Sequence, residues 1–214
     1  IILFDTKLNT YIKKLDIPKI GKYPCAVVVF NKIHIFHGPA NPHHLVYDIK
    51  NNSIKTIEAE STSECRLYGV EILNYNNRII KLGGAAKNRV VNVFMISNEL
   101  KQDNDEILEW EKRELPSILQ MAGSIIHKNY VLMFGGVGSG KRFMDKIYVL
   151  DLEINDGWRE VQHIKCPMRS KYVAIKTSDN MVNLFTELNK INWRQSDKGF
   201  YQIPISSILG AKYL

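Results

Sequence analysis

Four stretches of the chain share one skeleton: an Asn, an apolar run, and a Gly or its substitute seven positions after the Asn. The anchors are Asn31 with Gly38, Asn77 with Gly84, Asn129 with Gly136, and Asn180 with Glu187. Successive end positions lie 46, 52 and 51 residues apart (38 to 84, 84 to 136, 136 to 187), and Pro18, Pro116 and Pro167 each stand twenty residues before one of them. A period of this length built from short β-branched runs predicts a propeller or a similar array, because each unit can bury its apolar faces only against its neighbours.

Each unit opens on a strand-like run, at 23–30, 67–75, 121–127 and 172–177, rich in Val, Ile and Tyr and bounded by turn residues. The Asn follows in a tight turn, where its side chain bonds nearby backbone and positive φ is tolerated. A second strand comes at once, KIHIFHG, RIIKLGG, YVLMFGG and MVNLFTE in the four units. Two copies end on a glycine pair, Gly83-Gly84 and Gly135-Gly136, one on His37-Gly38 and the last on Thr186-Glu187. Glycine there lets a chain leaving a buried strand bend sharply with no side chain in the way. Third strands are read at 45–49, 92–96 and 147–152, and fourth strands around Ile54, Trp110 and Trp158. Residues 1–15 fit the last two strands of a preceding unit, with Asp5 matching Asp48 and Asp151, and Tyr11 matching Ile54. The acidic segment 99–119 reads alone as a short helix; the repeat register makes 107–114 a strand after a long polar loop.

A strand ending in Gly-Gly, then a strand pair with a Trp some twenty residues after the glycines, resembles the kelch repeat. The resemblance runs from Asp5 to about Glu187 and is fullest in the third copy, from YVLMFGG through IYVLDL to Trp158. It implies an all-β, kelch-type β-propeller, each repeat a four-stranded antiparallel blade around a central channel. Strand counting predicts a partial ring of about four to five such blades in one domain. Its units span 1–18, 19–60, 61–115, 116–166 and 167–214, with Gly38, Gly83, Gly84, Gly135 and Gly136 as the structural repeat glycines. The first and fourth units depart from the Gly pair and rest on spacing. Residues 199–209 are read as one more strand.

With 214 residues and 45% hydrophobic content the chain can bury a core between stacked sheets. No apolar run reaches membrane-spanning length, and no basic segment precedes an apolar stretch in the manner of a signal peptide. The sequence does not start with Met, which points to an absent upstream part. Cys25, Cys65 and Cys166 lack metal-ligand spacing; an odd cysteine count suits buried thiols in a reducing compartment, and the expectation is a cytoplasmic protein.

Several strings look chemical and are read otherwise. GGVGSGKR at 135–142 matches a phosphate-binding loop up to its last place, where Arg142 replaces the Ser or Thr that would hold magnesium; a strand pattern follows instead of the required helix. His34, His37, His43 and His44 crowd together, yet no second cluster completes a metal site. Some kelch-like propellers are copper enzymes, which need a Tyr–Cys crosslink and two His at the channel mouth. No such set can be placed on Cys65 or Cys166, so the reading is non-enzymatic, without cofactor or metal. Trp110 and Trp158 occupy equivalent places and are read as inter-blade core. Trp193, between Lys190 and Arg194, is the candidate exposed anchor.

In a propeller, the loops from second to third strands share a rim with the blade-to-blade connections. Here those loops are 39–44, 85–90, 137–146 and 188–199, and they carry Lys87, Arg89, Lys141, Arg142, Lys146, Lys190, Arg194 and Lys198 against Asp145 and Asp197. A chain with a formal charge of +7 that gathers cations on one rim draws anionic partners to it. The expectation is a protein–protein interaction platform, with Lys87, Arg89, Lys141, Arg142, Lys190, Trp193 and Arg194 binding an acidic or phosphorylated segment of another protein. Nucleic acid is disfavoured because few aromatics interleave the cations. A small-molecule or carbohydrate-active propeller enzyme is the alternative, marked by a polar pocket at the channel mouth.

Overall fold

A computed structural model of the chain describes residues 2–5, 7–14, 24–36, 44–57, 67, 69–86, 89–102, 108–154, 156–168, 171–178, 180–186 and 199–210. A first antiparallel pair, β1 (Ile2–Asp5) and β2 (Thr10–Lys14), precedes four sheets. Blade one is β3 (Cys25–Val29), β4 (Lys32–Phe36), β5 (His44–Asp48) and β6 (Ser53–Ile57). Blade two is β7 (Glu71–Tyr75), β8 (Arg78–Leu82), β11 (Phe94–Ser97) and β12 (Trp110–Arg113), with the two-residue strands β9 (Ala85–Ala86) and β10 (Arg89–Val90) paired in its loop. Blade three is β13 (Gly123–His127), β14 (Tyr130–Phe134), β15 (Ile147–Asp151) and β16 (Arg159–Glu160). Among the described residues blade four has three strands, β17 (Tyr172–Lys176), β18 (Met181–Thr186) and β19 (Phe200–Pro204), followed by the short helix α1 (Ile205–Leu209).

The sheets stand in a ring as the blades of a four-bladed β-propeller. Successive first strands are neighbours, β3 beside β7, β7 beside β13 and β13 beside β17. Each first strand alternates, so one set of side chains meets the next blade and the other meets the blade before. Three cores result. Val29, Phe36, Ile79 and Leu108 fill the space between blades one and two; Leu82, Phe94, Met133 and Tyr148 that between two and three; Ile125, Phe134, Val182 and Leu184 that between three and four. Each fully buried side chain of this kind stabilises the fold by about 1.5–3 kcal/mol. Trp110 stands edge-on to Phe36 of the preceding blade at 6.2 Å, and Trp158 edge-on to Phe94 of the preceding blade at 6.0 Å. Both tryptophans therefore belong to inter-blade packing.

The Asn skeleton is a backbone device. The carbonyls of Asn31, Asn77, Asn129 and Asn180 accept hydrogen bonds from the amides of Ile49, Leu100, Leu152 and Ile205, all at 2.9 Å. In each blade this ties the first hairpin turn to the end of the third strand. Asn77 (φ 61) and Asn180 (φ 59) take the left-handed conformation themselves, whereas in blades one and three it falls on the preceding residue, Phe30 (φ 52) and Lys128 (φ 54). Tight hairpin turns need a left-handed residue to match the strand twist, and the Asn is only one way to supply it.

The segment 99–119 follows the repeat register: β12 is a strand, Trp110–Arg113, paired with β11, while 103–107 lie outside the described residues. The reading of 199–209 as one strand is corrected. The strand stops at Pro204 and the chain turns into α1, because Ile205, Ile208 and Leu209 lie at helical spacing and bury together in the core between blades three and four. On the far side of blade four, Ile175 and Phe185 are 49% and 43% exposed, although Ile125 and Phe134 in the corresponding places of blade three are buried. Gly38 and Glu187 lie outside the described residues.

The glycine pairs hold the tightest contacts. Gly83 has φ +65, and a Cβ there would stand 2.1 Å from the Leu119 carbonyl oxygen; Gly135 has φ +54, and a Cβ would stand 2.4 Å from the Tyr172 ring. Gly140, at φ +67, faces open space. Gly140→Ala is expected to cost about 1–2 kcal/mol, the left-handed strain alone. Gly83→Ala and Gly135→Ala should cost about 3 kcal/mol or more, since overpacking adds to that strain. Denaturant unfolding of the three variants checks this ranking, and equal losses would contradict it.

Candidate functional site

Strand pairing sets which loops share an end of the ring. The first residue of each first strand pairs near the last of the second, Cys25 with Phe36, Glu71 with Leu82, Gly123 with Phe134 and Tyr172 with Thr186. The loops leaving the second strands and the linkers entering the first strands therefore form one rim.

Two rim loops are miniature hairpins. In blade two β9 and β10 pair, Val91 N–H donates to Gly84 O at 2.9 Å, and Gly83 N–H donates to Val93 O at 2.8 Å. In blade three Val137 bridges Phe143, Met144 N–H donates to Gly136 O at 2.9 Å, and Gly135 N–H donates to Lys146 O at 2.9 Å. The tip of the latter is a single 3₁₀ turn, Ser139–Lys141, closed by Gly138 N–H donating to Arg142 O at 2.8 Å. Val137 and Gly138 at the base are buried, while Lys141 and Arg142 at the tip are exposed with no ion-pair partner among the described residues. Extended chain and β15 follow the turn, so no helix stands behind GGVGSGKR to hold a phosphate.

Not every rim charge faces outward. Lys146 bonds Glu160 at 2.7 Å, and Lys165 bonds Asp145 at 3.0 Å. The Lys165 ammonium, by hydrogen bond and charge, holds the Asp145 carboxyl below its ordinary range. Arg89 lies on β10, with its side chain outside the described residues. Lys87, Lys190, Trp193, Arg194 and Lys198 also lie outside them. Of the seven expected binding residues, the side chains of Lys141 and Arg142 are the two described.

The hub beneath this rim holds a cavity of about 1010 Å³, lined among others by Cys25, Glu71, Met121, Lys171, Tyr172 and Phe185. Residues of all four blades meet there. The Glu71 carboxylate oxygen lies 3.4 Å from the Ser124 hydroxyl of blade three, a long hydrogen bond. Burial pushes the Glu71 carboxyl up to about 8, against opposing hydrogen bonds from Ser124 and the positive charge of Lys171. The group is therefore mostly a neutral acid at pH 7. Thr186 lines the same cavity, and its hydroxyl has no hydrogen-bond partner among the described residues. Sequence reasoning missed Glu71. The available signal was its register, since it shares the first place of the innermost strand with Cys25 and Gly123.

The histidines pack rather than gather. His34 and His44 are buried cross-strand neighbours with ring nitrogens 3.4 Å apart, and Phe36 stacks on His44 at 4.9 Å. His37 and His43 lie outside the described residues, among which no group of three or more His, Cys, Asp or Glu side chains is placed to hold a metal ion. Beside Phe36, the buried Lys81 ammonium sits 3.9 Å from that ring's centre and 4.3 Å from that of Trp110, a cation between two aromatic faces. No helix among the described residues is long and apolar enough to cross a membrane.

Compared with known proteins, the chain matches no family model. It matches no curated protein either.

Cys25 and Cys166 are free thiols, and burial pushes both up to about 11. The rise from 9.0 lowers their thiolate fraction at neutral pH by about a hundredfold. Peptide-resolved alkylation should label both about a hundredfold more slowly in the folded protein than in denaturant. Similar rates in the two states would contradict the burial described.

Proposed function

We propose that the chain is a kelch-type β-propeller that serves, in the cytoplasm, as a non-enzymatic protein–protein interaction platform whose basic rim binds an acidic or phosphorylated segment of a partner protein. The observation that carries this reading is the blade-three loop, where a buried base cross-braced by backbone hydrogen bonds holds Lys141 and Arg142 exposed at its tip. Cations carried on a braced backbone lose less chain entropy on binding than cations on a floppy loop, so the same charge yields more affinity. Arg142 presents a planar fork suited to carboxylate or phosphate. The kelch assignment draws on the glycine-pair bends and on Trp110 and Trp158, each packed edge-on against the blade before it. The cytoplasmic setting draws on the two free thiols, Cys25 half-buried and Cys166 buried.

A propeller enzyme acting on small molecules or carbohydrates is the competing reading, and Glu71 at the hub cavity is what favours it. Nucleophilic chemistry by Cys25 at the same cavity is disfavoured by its raised pKa, about 11.

Anisotropy titrations with acidic and phosphoserine peptides test the platform reading. Lys141→Ala with Arg142→Ala should weaken capture by about tenfold or more, and Arg89→Ala with Arg194→Ala should weaken it further. Binding that ignores all four changes would contradict the proposal.

A further inference from the structure

The hub cavity and the basic rim share one end of the ring, yet the cavity holds a carboxyl, which as an anion would repel the very ligand the rim attracts. We propose that one acidic side chain of the bound segment enters the hub cavity and is held between the Lys171 ammonium and the Glu71 carboxyl. The proposal rests on the reading of the rim as an anion-binding surface and assigns that surface its specificity pocket.

Geometry supports it first. Glu71 and Lys171 line one cavity of about 1010 Å³, large enough for several residues of an extended peptide. Lys171 is exposed at the linker into β17, while Glu71 opens β7 and reaches towards β13. Ser124 reaches the Glu71 carboxyl through its backbone and through a hydroxyl bond that is long, at 3.4 Å, and a protonated carboxyl still has its own O–H to donate to a ligand. Thr186 offers a hydroxyl in the same space.

Protonation follows from the surroundings. The groups that face Glu71 are Ser124 and Lys171, with Cys25 on β3 close enough for the two to feel one another's charge and Lys81 on β8 close to Cys25. Burial outweighs the positive charge of Lys171, and the proton stays on to about pH 8. A neutral carboxyl both accepts and donates, whereas the ionised form only accepts. An anionic oxygen entering the cavity therefore binds the protonated state and is repelled by the ionised one. Binding in turn raises the carboxyl's proton affinity further, because linkage is reciprocal.

The sign of the pH dependence follows. Below about pH 8 most molecules carry the competent form. Above it the competent fraction falls, and apparent affinity falls with that fraction, approaching tenfold per pH unit. A Gln at this place carries a donor at every pH.

The test uses fluorescein-labelled hexaglutamate and its phosphoserine counterpart, titrated by anisotropy onto wild type, Glu71→Gln, Lys171→Ala and Lys141→Ala from about pH 6 to about pH 9.5. Wild type should lose about tenfold in affinity across the top of that range. Glu71→Gln should show no such loss, binding at the alkaline end about tenfold more tightly than wild type. Lys171→Ala should weaken binding and move the pH at which affinity falls upward, because the positive charge that favours the ionised Glu71 is gone. The two probes separate carboxylate from phosphate as the anion preferred. In parallel, the Glu71 carboxyl carbon should titrate near pH 8 by NMR in the free protein and at higher pH with peptide bound. Binding that Lys141→Ala weakens but that does not change with pH, or a Glu71→Gln profile parallel to wild type, overturns the hub pocket and leaves the rim reading standing. Wild type that ignores both probes at every pH overturns the rim reading, and this proposal with it.

Discussion

The spacing of the blades depends on backbone meeting backbone at the glycine pairs. In blade two the Leu119 carbonyl accepts a hydrogen bond from Gly84 N–H at 2.9 Å while lying where a side chain on Gly83 would have to be. In blade three the Tyr172 ring fills the equivalent place over Gly135, and Gly136 packs on the backbone at Gln120 and Ala122. Each linker between blades is thereby held against the end of a second strand. That contact places the next first strand beside the hub, brings Cys25, Glu71 and Tyr172 to one mouth, and turns the loops after the glycines outward as a rim. The apolar cores between blades supply the larger stabilisation, but they are tolerant of shape. The glycine contact is not, because nothing larger than a hydrogen fits.

Periodicity made the architecture legible. An Asn and a Gly seven residues apart mark a hairpin and its exit, and four copies on one register specify four sheets even where single residues differ. Trp110 and Trp158 were legible for the same reason, since equivalent large aromatics in a repeat fall at equivalent interfaces. The helix after Pro204 was not, because the repeat register ends there and a single helical turn carrying Ile205, Ile208 and Leu209 is too short for its spacing to stand out from a strand. The pairing of Lys146 with Glu160 was hidden too, because it needs the register between β15 and β16, which are joined by a turn whose length the sequence leaves open. Glu71 was hardest. Most of its environment comes from residues more than forty positions away, and no local pattern announces a carboxyl at a cavity shared by four blades.

Charge and burial are divided between the two ends of each loop. At the base of the blade-three loop, Val137 and Gly138 are buried and bonded, so its exposed Lys141 and Arg142 occupy a set position without needing ion partners to hold them. Deeper in, positive charge recurs as Lys81 enclosed by Phe36 and Trp110, where the two ring faces offset part of the cost of taking an ammonium out of water. Glu71 answers the same constraint differently: desolvation in the hub cavity outweighs the Ser124 hydrogen bonds and the charge of Lys171, and it keeps its proton.

Native-state hydrogen exchange at the inter-blade bonds tests the ring most directly. The amides of Gly84, bonded to Leu119, and of Tyr172, bonded to Met121 at 3.1 Å, belong to contacts that exist only when neighbouring blades are docked. They should exchange only through global unfolding, with the same protection as the amides of β8 and β14. Exchange of these two amides as fast as that of the exposed turn at 139–142, while the strands stay protected, would mean that the blades fold without holding one another, and the account would fail.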